Sequence, residues 1–310
     1  MEKKNQTLVS GFILQAIFNQ AGHGNLVFFV LLLVYMLSLV GNLMIVFVIW
    51  CDSHLLHTPM YFFLSYLALA DVGFASSTVP ITLRSLVSWD KIISYGGCFS
   101  QLYFFLAFGS SDSFLLAAMA YDRYMAICHP LHYIALINPK RCRLMVSGCW
   151  LLAFLHSVPY ALMVSHLSFC ASREIPNFFC DVNPLLGLSC SDTSTIKMML
   201  WTAGTLSLAG PFLLVVISYA RIFLTIVKTP SASSKRKAFS TCGSHLAVVI
   251  LYFSTLIWVY LLPTSGNKTL ASLMYTVIAP MLNPFIYSLR NSEMKGALKR
   301  LTGRMRVSVE

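Results

Sequence analysis

Ionisable side chains inside long apolar segments are the residues of this chain whose chemistry first needs an explanation. Asp71 lies in the middle of the second such segment, Asp112 lies about halfway along the third, and the adjacent Asp122 and Arg123 lie at its end. A charge inside a bilayer is costly and usually has a function. With Asn283, the carboxylates of Asp71 and Asp112 could form a polar pocket that holds water or a sodium ion, because oxygen ligands suit hard cations. The alternative is that neighbouring helices merely satisfy these groups.

The segments that must position these residues are seven apolar runs. Of the 310 residues, 57 % are hydrophobic and 11 % are charged, whereas a soluble domain has about 25 % charged residues. A helix needs about 20 apolar residues to cross a bilayer. The runs, which we number spans 1 to 7, cover residues 26–50, 59–83, 92–127, 144–167, 197–221, 237–263 and 269–289. Because the backbone must satisfy its own hydrogen bonds in lipid, the sequence predicts an all-α membrane protein, a seven-transmembrane helix bundle at 26–289.

The distribution of cations predicts the orientation of the chain in the membrane. One set of connections carries 15 lysines and arginines and the other carries 7, and the richer side is normally cytoplasmic. The N-terminal segment 1–25 is therefore expected outside the cell, where Asn5 would be a glycosylation site. The tail 290–310 is basic, and its apolar spacing predicts a short cytoplasmic amphipathic helix against anionic lipid rather than a disordered tail. The net charge of +11 then reflects membrane topology and not nucleic-acid binding.

Five motifs in different spans resemble a single family of receptors. They are MAYDRYMAIC at 119–128, PMYFFL at 59–64, SY at 218–219, KAFSTCGSHL at 237–246 and PMLNPFIYSLRN at 280–291. The set is similar to the olfactory receptor family of rhodopsin-like G-protein-coupled receptors, in the family's order and over nearly the whole chain. The resemblance implies a plasma-membrane receptor for a small volatile odorant. It also implies a stimulatory, olfactory-type heterotrimeric G protein as partner and cyclic AMP as the product of signalling.

The resemblance assigns a cytoplasmic switch to eight residues. They are Asp122, Arg123, Tyr124, Tyr219, His245, Asn283, Pro284 and Tyr287. An ion pair between the neighbouring Asp122 and Arg123 would hold the switch closed until Arg123 is released to a partner. Tyrosine hydroxyls would then bridge to Arg123 through water. Pro284 removes a backbone donor and can bend span 7.

Four cysteines lie in segments that are expected outside the cell, where disulfides form. Sequence alone allows three pairings of four cysteines. The resemblance implies the pairs Cys98–Cys180 and Cys170–Cys190. No cofactor is expected apart from the structural sodium ion.

The ligand site that the resemblance implies lies between the outer halves of spans 3, 5, 6 and 7. Its candidate residues are Phe105, Leu106, Gly109, Ser110, His156, Ala203, Leu206, Ser207, Leu256, Ile257, Tyr260, Leu273 and Thr276. Ordinary helix packing is the alternative for each of them. Receptors for amines have an Asp seven residues after the cysteine of span 3, where this chain has Phe105. With no other acid expected at that depth and no base deep in the site, the sequence predicts a small neutral, mostly apolar ligand.

Two departures from the family pattern bear on these assignments. The family usually has Glu where this chain has Asp112, and the shorter side chain weakens the case for a cation site. The family usually has Tyr where this chain has Phe253, so a polar contact there is in doubt.

Other functions are weaker readings of the same residues. A transporter or channel would use Asp71 and Asp112 as an ion path, but the sequence has no internal repeat. An enzyme is not expected, because no H-E-x-x-H or G-x-S-x-G motif occurs. A receptor of this family that works as a chemosensor outside the nose stays an open alternative.

Overall fold

The computed structural model describes residues 11–15, 24–88, 91–170, 172–229, 231–260, 268–290 and 292–307. Seven helices in these ranges are long and apolar enough to cross a membrane, which confirms the predicted bundle. Spans 1 to 4 are the helices Gly24–Cys51, Pro59–Val87, Tyr95–Cys128 and Pro139–Ser165. Span 5 comprises Ser194–Met199, Leu200–Gly204 and Thr205–Lys228. Span 6 is Ala232–Tyr260. Span 7 comprises Lys268–Leu273, Met274–Ile278 and Ala279–Arg290.

Local sequence explains where several spans begin. Span 2 starts with Pro59 and span 4 with Pro139, each at the first helical position, where a missing N–H costs nothing. The Asn138 side chain accepts a hydrogen bond from the backbone N–H of Arg141 at 2.9 Å. Span 3 is capped in the same way by Ser94, whose hydroxyl accepts from Gly97 N–H at 3.1 Å. Such caps satisfy donors that a helix end leaves free.

Two of the spans contain a π-helical turn, at Leu200–Gly204 in span 5 and at Met274–Ile278 in span 7. A π turn holds one residue more than an α turn, so it rotates the residues that follow relative to an uninterrupted α-helix. The side chains of these two spans that face the bundle interior therefore cannot be predicted from the residue spacing of an ideal α-helix.

Span 3 lies at the centre of the bundle. It packs against spans 2, 4 and 5, and span 1 packs against span 2. The largest fully buried side chains of the main core are aromatic and include Phe63, Phe74, Phe105 and Tyr287. In contrast, many leucines and phenylalanines of spans 1, 4 and 5 are exposed on the outer surface, as expected where lipid replaces water.

A small three-stranded sheet joins the N-terminal segment to the connection between spans 2 and 3 and to the connection between spans 4 and 5. Strand β1, Gly11–Leu14, pairs antiparallel with β2, Ile92–Ser94, and parallel with β3, Glu174–Ile175. Phe12 on β1 is fully buried and meets the rings of Tyr95, Phe99 and Phe169. The sequence pattern predicts no strand at residues 11–14, and the predicted glycosylation site, Asn5, lies outside the described residues.

Both disulfide bonds implied by the resemblance are present. Cys98–Cys180 ties the start of span 3 to the loop between spans 4 and 5, and Cys170–Cys190 closes a smaller ring within that loop. The loop includes the short helix Val182–Leu188. The first bond fixes the residues that follow Cys180 directly over the bundle.

Span 7 is followed by the helix Ser292–Val307, where the sequence predicts an amphipathic helix. Met294 and Ala297 are buried against the bundle. The guanidinium of Arg300 pairs with the carboxylate of Asp52, its Nε donating to Oδ2 at 3.0 Å. This hydrogen bond is the main cause that lowers the pKa of Asp52. The pair fixes the last helix to the connection between spans 1 and 2.

Candidate functional site

A cavity of about 280 Å³ lies in the outer half of the bundle, under the loop that Cys180 anchors. Its walls come from spans 3 to 7 and from the loop. They consist of Phe105, Leu106, Gly109, Ser110, Ser113, His156, Tyr160, Asp181, Val182, Asn183, Lys197, Leu200, Trp201, Gly204, Thr205, Ser207, Leu208, Tyr252, Leu256, Tyr260 and Tyr275. Ligand pockets typically have about 300–1,000 Å³, so this one suits a small molecule.

Eight of the thirteen predicted ligand residues line this cavity. They are Phe105, Leu106, Gly109, Ser110, His156, Ser207, Leu256 and Tyr260. Span 3 is a regular α-helix, and the face predicted from i, i+1, i+4, i+5 spacing is the face that the structure turns to the cavity.

The other five predicted ligand residues lie outside the wall of this cavity, and contact between them and a ligand stays a prediction. They are Ala203, Leu206, Ile257, Leu273 and Thr276. Leu206 is 72 % exposed on the outer surface, because the π turn of span 5 turns Gly204, Thr205 and Leu208 to the cavity instead. Thr276 lies in the π turn of span 7, fully buried, and its hydroxyl donates to the carbonyl of Ser272 at 2.8 Å.

An acid lines the cavity, contrary to the expectation from the sequence. The carboxylate of Asp181 accepts from Val182 N–H at 2.7 Å and from the Tyr260 hydroxyl at 3.3 Å. Burial raises its pKa to about 6, and both hydrogen bonds act in the opposite direction. The sequence predicts no base deep in the site. The base that lines the cavity, Lys197, is exposed and not deep. The sequence pattern missed Asp181 because it follows Cys180 in a loop whose path is set by the disulfide bond.

The inner end of the cavity is formed by two tyrosines that the sequence analysis did not select. The Tyr252 hydroxyl donates to the carbonyl of Gly109, and Tyr275 packs edge-on against the ring of Phe74. A side chain at Gly109 would place its Cβ 2.9 Å from the Tyr275 hydroxyl. Any other residue at this position would therefore displace the Tyr275 side chain. At this level of span 6 the polar contact comes from Tyr252, while Phe253 packs against Phe212 at a ring distance of 5.1 Å.

His156 offers unsatisfied polar atoms beside the cavity. Both of its ring nitrogens are buried without a hydrogen-bond partner among the described residues. Its ring lies 5.1 Å from that of Tyr160, whose hydroxyl donates to the carbonyl of Met199. A buried polar group without a partner is costly, so a ligand that donates or accepts a hydrogen bond would be stabilised here.

A second, much smaller cavity of about 10 Å³ lies deeper in the bundle and contains Asp71, Asp112 and Asn283 in its wall. The Asn283 amide donates to both carboxylate oxygens of Asp71, at 3.1 and 2.8 Å. One carboxylate oxygen of Asp112 is buried without a partner. The volume is about that of one water molecule. Two carboxylates at one small cavity fit a single cation, although the described residues contain no cluster of three or more Asp, Glu, His or Cys.

The predicted switch residues lie on spans 3, 5, 6 and 7, toward the ends opposite the Cys98–Cys180 disulfide bond. The Tyr219 hydroxyl and His245 Nδ1 are 2.7 Å apart, and the two rings are stacked. The hydroxyl of Tyr287 is buried without a partner among the described residues. Tyr124 contacts His129 through its hydroxyl at 2.9 Å.

The expected ion pair between Asp122 and Arg123 is not formed. Asp122 accepts a hydrogen bond from the Tyr133 hydroxyl at 2.8 Å, and the only salt bridge within the described residues is that of Arg300 with Asp52. Adjacent residues on a helix point about 100° apart, which separates their charged ends. The Nε of Arg123 is buried without a partner in the part of the chain that the structure describes. Tyr133, in the connection after span 3, is thus the group that holds Asp122.

Comparisons with known proteins agree with this arrangement. The chain matches the family model described as "Olfactory receptor" over residues 31–304. It is 51 % identical to "Olfactory receptor 1G1" of Gorilla gorilla gorilla and 49 % identical to "Olfactory receptor 1J1" of Mus musculus, in each case over 97 % of both chains. It is 47 % identical to "Olfactory receptor 1M1" of Homo sapiens over 98 % of both chains.

Proposed function

Because this chain belongs to the olfactory receptor family, and is thus a multi-pass plasma-membrane receptor for an odorant, we propose which ligand it takes and how it signals. The ligand is a small neutral, mostly apolar molecule that binds in the cavity of about 280 Å³. The receptor then activates a stimulatory, olfactory-type G protein and raises cyclic AMP. The N-terminus lies outside the cell and the tail after span 7 lies in the cytoplasm.

The walls of the cavity support a neutral ligand even though an acid is present. The buried carboxylate of Asp181 already accepts two hydrogen bonds, and Lys197, of opposite charge, lines the same cavity. The other walls are predominantly apolar or aromatic, so most of the binding free energy would come from apolar contact. Ser110, His156 and Tyr260 are the groups that would orient one polar atom of the ligand.

The observation that carries the signalling proposal is the set of unsatisfied groups at the cytoplasmic end. Arg123 Nε, His245 Nε2 and the Tyr287 hydroxyl are buried without partners among the described residues. Such groups are stabilised by any rearrangement that gives them partners. An outward movement of span 6, which carries His245, would open this region to a G protein and expose the buried Arg123 to bond with it.

A sodium ion in the small cavity is part of the same proposal. Asp71 and Asp112 would hold it with oxygen ligands, and Asn283 would keep the Asp71 carboxylate in place. The charge of the ion would favour the state in which both carboxylates are ionised.

The experiment is a cyclic AMP reporter assay in cells that express the full-length receptor, run with a panel of neutral odorants, amines and carboxylic acids. Neutral odorants are expected to give the responses. Replacing Ser110 by Ala should weaken them, because Ser110 lines the cavity. The matched control is Ser254→Ala, since Ser254 is also in a span but is exposed, outside the cavity wall and bonded to its own helix at Leu251.

Two outcomes would contradict the proposal. A panel in which amines dominate would show that Asp181 acts as a counter-ion and that the ligand is cationic. Equal potency of neutral odorants on wild type and Ser110→Ala, with a loss in Ser254→Ala, would place the binding site elsewhere.

A further inference from the structure

One edge of the ligand cavity lies on the outer surface of the bundle. Lys197, Trp201 and Thr205 all line the cavity, and all three are exposed; Trp201 is 72 % exposed. Because each of the three is both exposed and in contact with the cavity, they mark one side of span 5 on either side of its π turn. The next residues inward, Leu200, Gly204 and Leu208, line the cavity interior. The cavity wall therefore continues across span 5 to its outer surface.

The position of this edge along the helix places it at the level of the lipid. An α-helix rises about 1.5 Å per residue and the π turn rises less, so Thr205 lies at most about 12 Å below Lys197 along span 5. The Lys197 cation belongs at the headgroup level, and one leaflet contributes about 15 Å of hydrocarbon. Trp201, between the two, lies where interfacial aromatic residues are usual. The Thr205 end of the edge thus faces acyl chains and not water.

Span 4 faces this edge of span 5 across the cavity. His156 and Tyr160 of span 4 line the cavity across from span 5. The backbones of the two spans approach each other at Ser194–Met199, where the Tyr160 hydroxyl donates to the Met199 carbonyl at 3.2 Å. Below this point, Thr205–Lys228 packs against span 3 instead. The Tyr160 hydroxyl also lies 3.4 Å from a Cβ built at Gly204, which is an ordinary contact, so spans 4 and 5 touch down to this level.

We propose that the opening between spans 4 and 5, bordered by Trp201 and Thr205, admits small apolar ligands to the cavity directly from the outer leaflet of the membrane. The inference rests on the proposed function, because it assumes that the cavity is the ligand site. An apolar molecule concentrates in the bilayer, so this route draws on the compartment in which the ligand is most abundant. The water-facing end of the cavity, where Asn183 is exposed, is the competing route.

The test follows entry of a small photoreactive apolar probe, 3-trifluoromethyl-3-phenyldiazirine, into the purified full-length receptor in lipid nanodiscs. The probe is mixed rapidly with the sample, a light flash follows after varied delays, and mass spectrometry quantifies labelling. Leu256, buried at the cavity, reports entry; Leu151, 61 % exposed on span 4, reports arrival of the probe in the bilayer. The variants are Thr205→Trp, which narrows the lipid-facing opening, and Asn183→Trp, which narrows the water-facing end.

Thr205→Trp should slow the labelling of Leu256 by about tenfold without changing that of Leu151. Asn183→Trp should leave both unchanged. Thr202→Trp is the matched control, because Thr202 is equally exposed on span 5 but does not line the cavity. Thr205→Phe serves as a second, smaller block if the tryptophan variant folds poorly.

The opposite pattern, slow labelling in Asn183→Trp and wild-type kinetics in both Thr205 variants, would overturn the lateral route. Failure of the proposed function looks different. In that case Leu256 of the wild-type receptor would not be labelled at any delay, while Leu151 is labelled normally.

Discussion

The titration of Asp181 predicts a measurable pH dependence of receptor stability. Its pKa is about 6 in the folded receptor, above the value of 3.8 for an unburied aspartate, because burial disfavours the charged form. The folded state therefore binds more protons than the unfolded state between these two values. The stabilisation is fully present below about pH 3.8 and is lost as the pH rises through about 6.

The magnitude follows from the two pKa values. Raising the pH from about 5 to about 7.4 should remove about 1.4 kcal/mol of stability through this single group. For a chain of this size, that amounts to about 2 °C in Tm. In Asp181→Asn no proton is exchanged, so this part of the pH dependence should vanish, and the wild type should lose more stability than the variant on going to neutral pH.

The assay is thermal unfolding of the purified receptor in nanodiscs, monitored by intrinsic tryptophan fluorescence at several pH values. Comparing wild type with Asp181→Asn cancels the contributions of other titrating groups. Asp192→Asn is the control in the same loop, because Asp192 is exposed and hydrogen bonds from Ser194 lower its pKa. Parallel curves for wild type and Asp181→Asn would show that Asp181 is not buried at the cavity as the structure has it.

Three further substitutions test separate parts of the molecule. Gly109→Ala should overpack the cavity against Tyr275 by about 1–3 kcal/mol, which would weaken odorant potency in the cyclic AMP assay; unchanged potency would contradict the described wall. Phe12→Ala should destabilise the extracellular sheet by about 3–5 kcal/mol, and a wild-type fraction of receptor at the cell surface would argue against its packing role. Arg300→Ala should cost less than about 1 kcal/mol in thermal unfolding, because its side chain is 52 % exposed; a larger loss would mean that its pairing with Asp52 is a major structural contact.

The spans were predictable because the length of an apolar run decides whether a helix can cross a bilayer. The residues at which the spans begin and end were less predictable. Span 4 begins at Pro139, five residues before the predicted start, because lysine and arginine side chains can extend to the interface and let a helix continue beyond the apolar run. Strand β1 escaped prediction because its partners, β2 and β3, are distant in sequence.

The residues of the candidate site also fall into a predictable group and an unpredictable group. Residues on regular helices, such as Phe105 and Gly109, follow from α-helical spacing. Residues that depend on a π turn or on a loop path do not, which is why Thr205 and Asp181 were missed. The pairing of Asp122 with Tyr133 belongs to this second group, because it depends on the fold of the connection after span 3.

The most direct test of the whole account is nucleotide exchange on a purified stimulatory G protein, driven by the receptor in nanodiscs with a neutral odorant that is active in cells. Wild type should accelerate exchange when the odorant is added. Arg123→Ala should bind the odorant but fail to accelerate exchange. Undiminished exchange with Arg123→Ala, or no odorant-dependent exchange by wild type, would contradict the proposal that ligand binding in the outer cavity acts through the cytoplasmic ends of the spans.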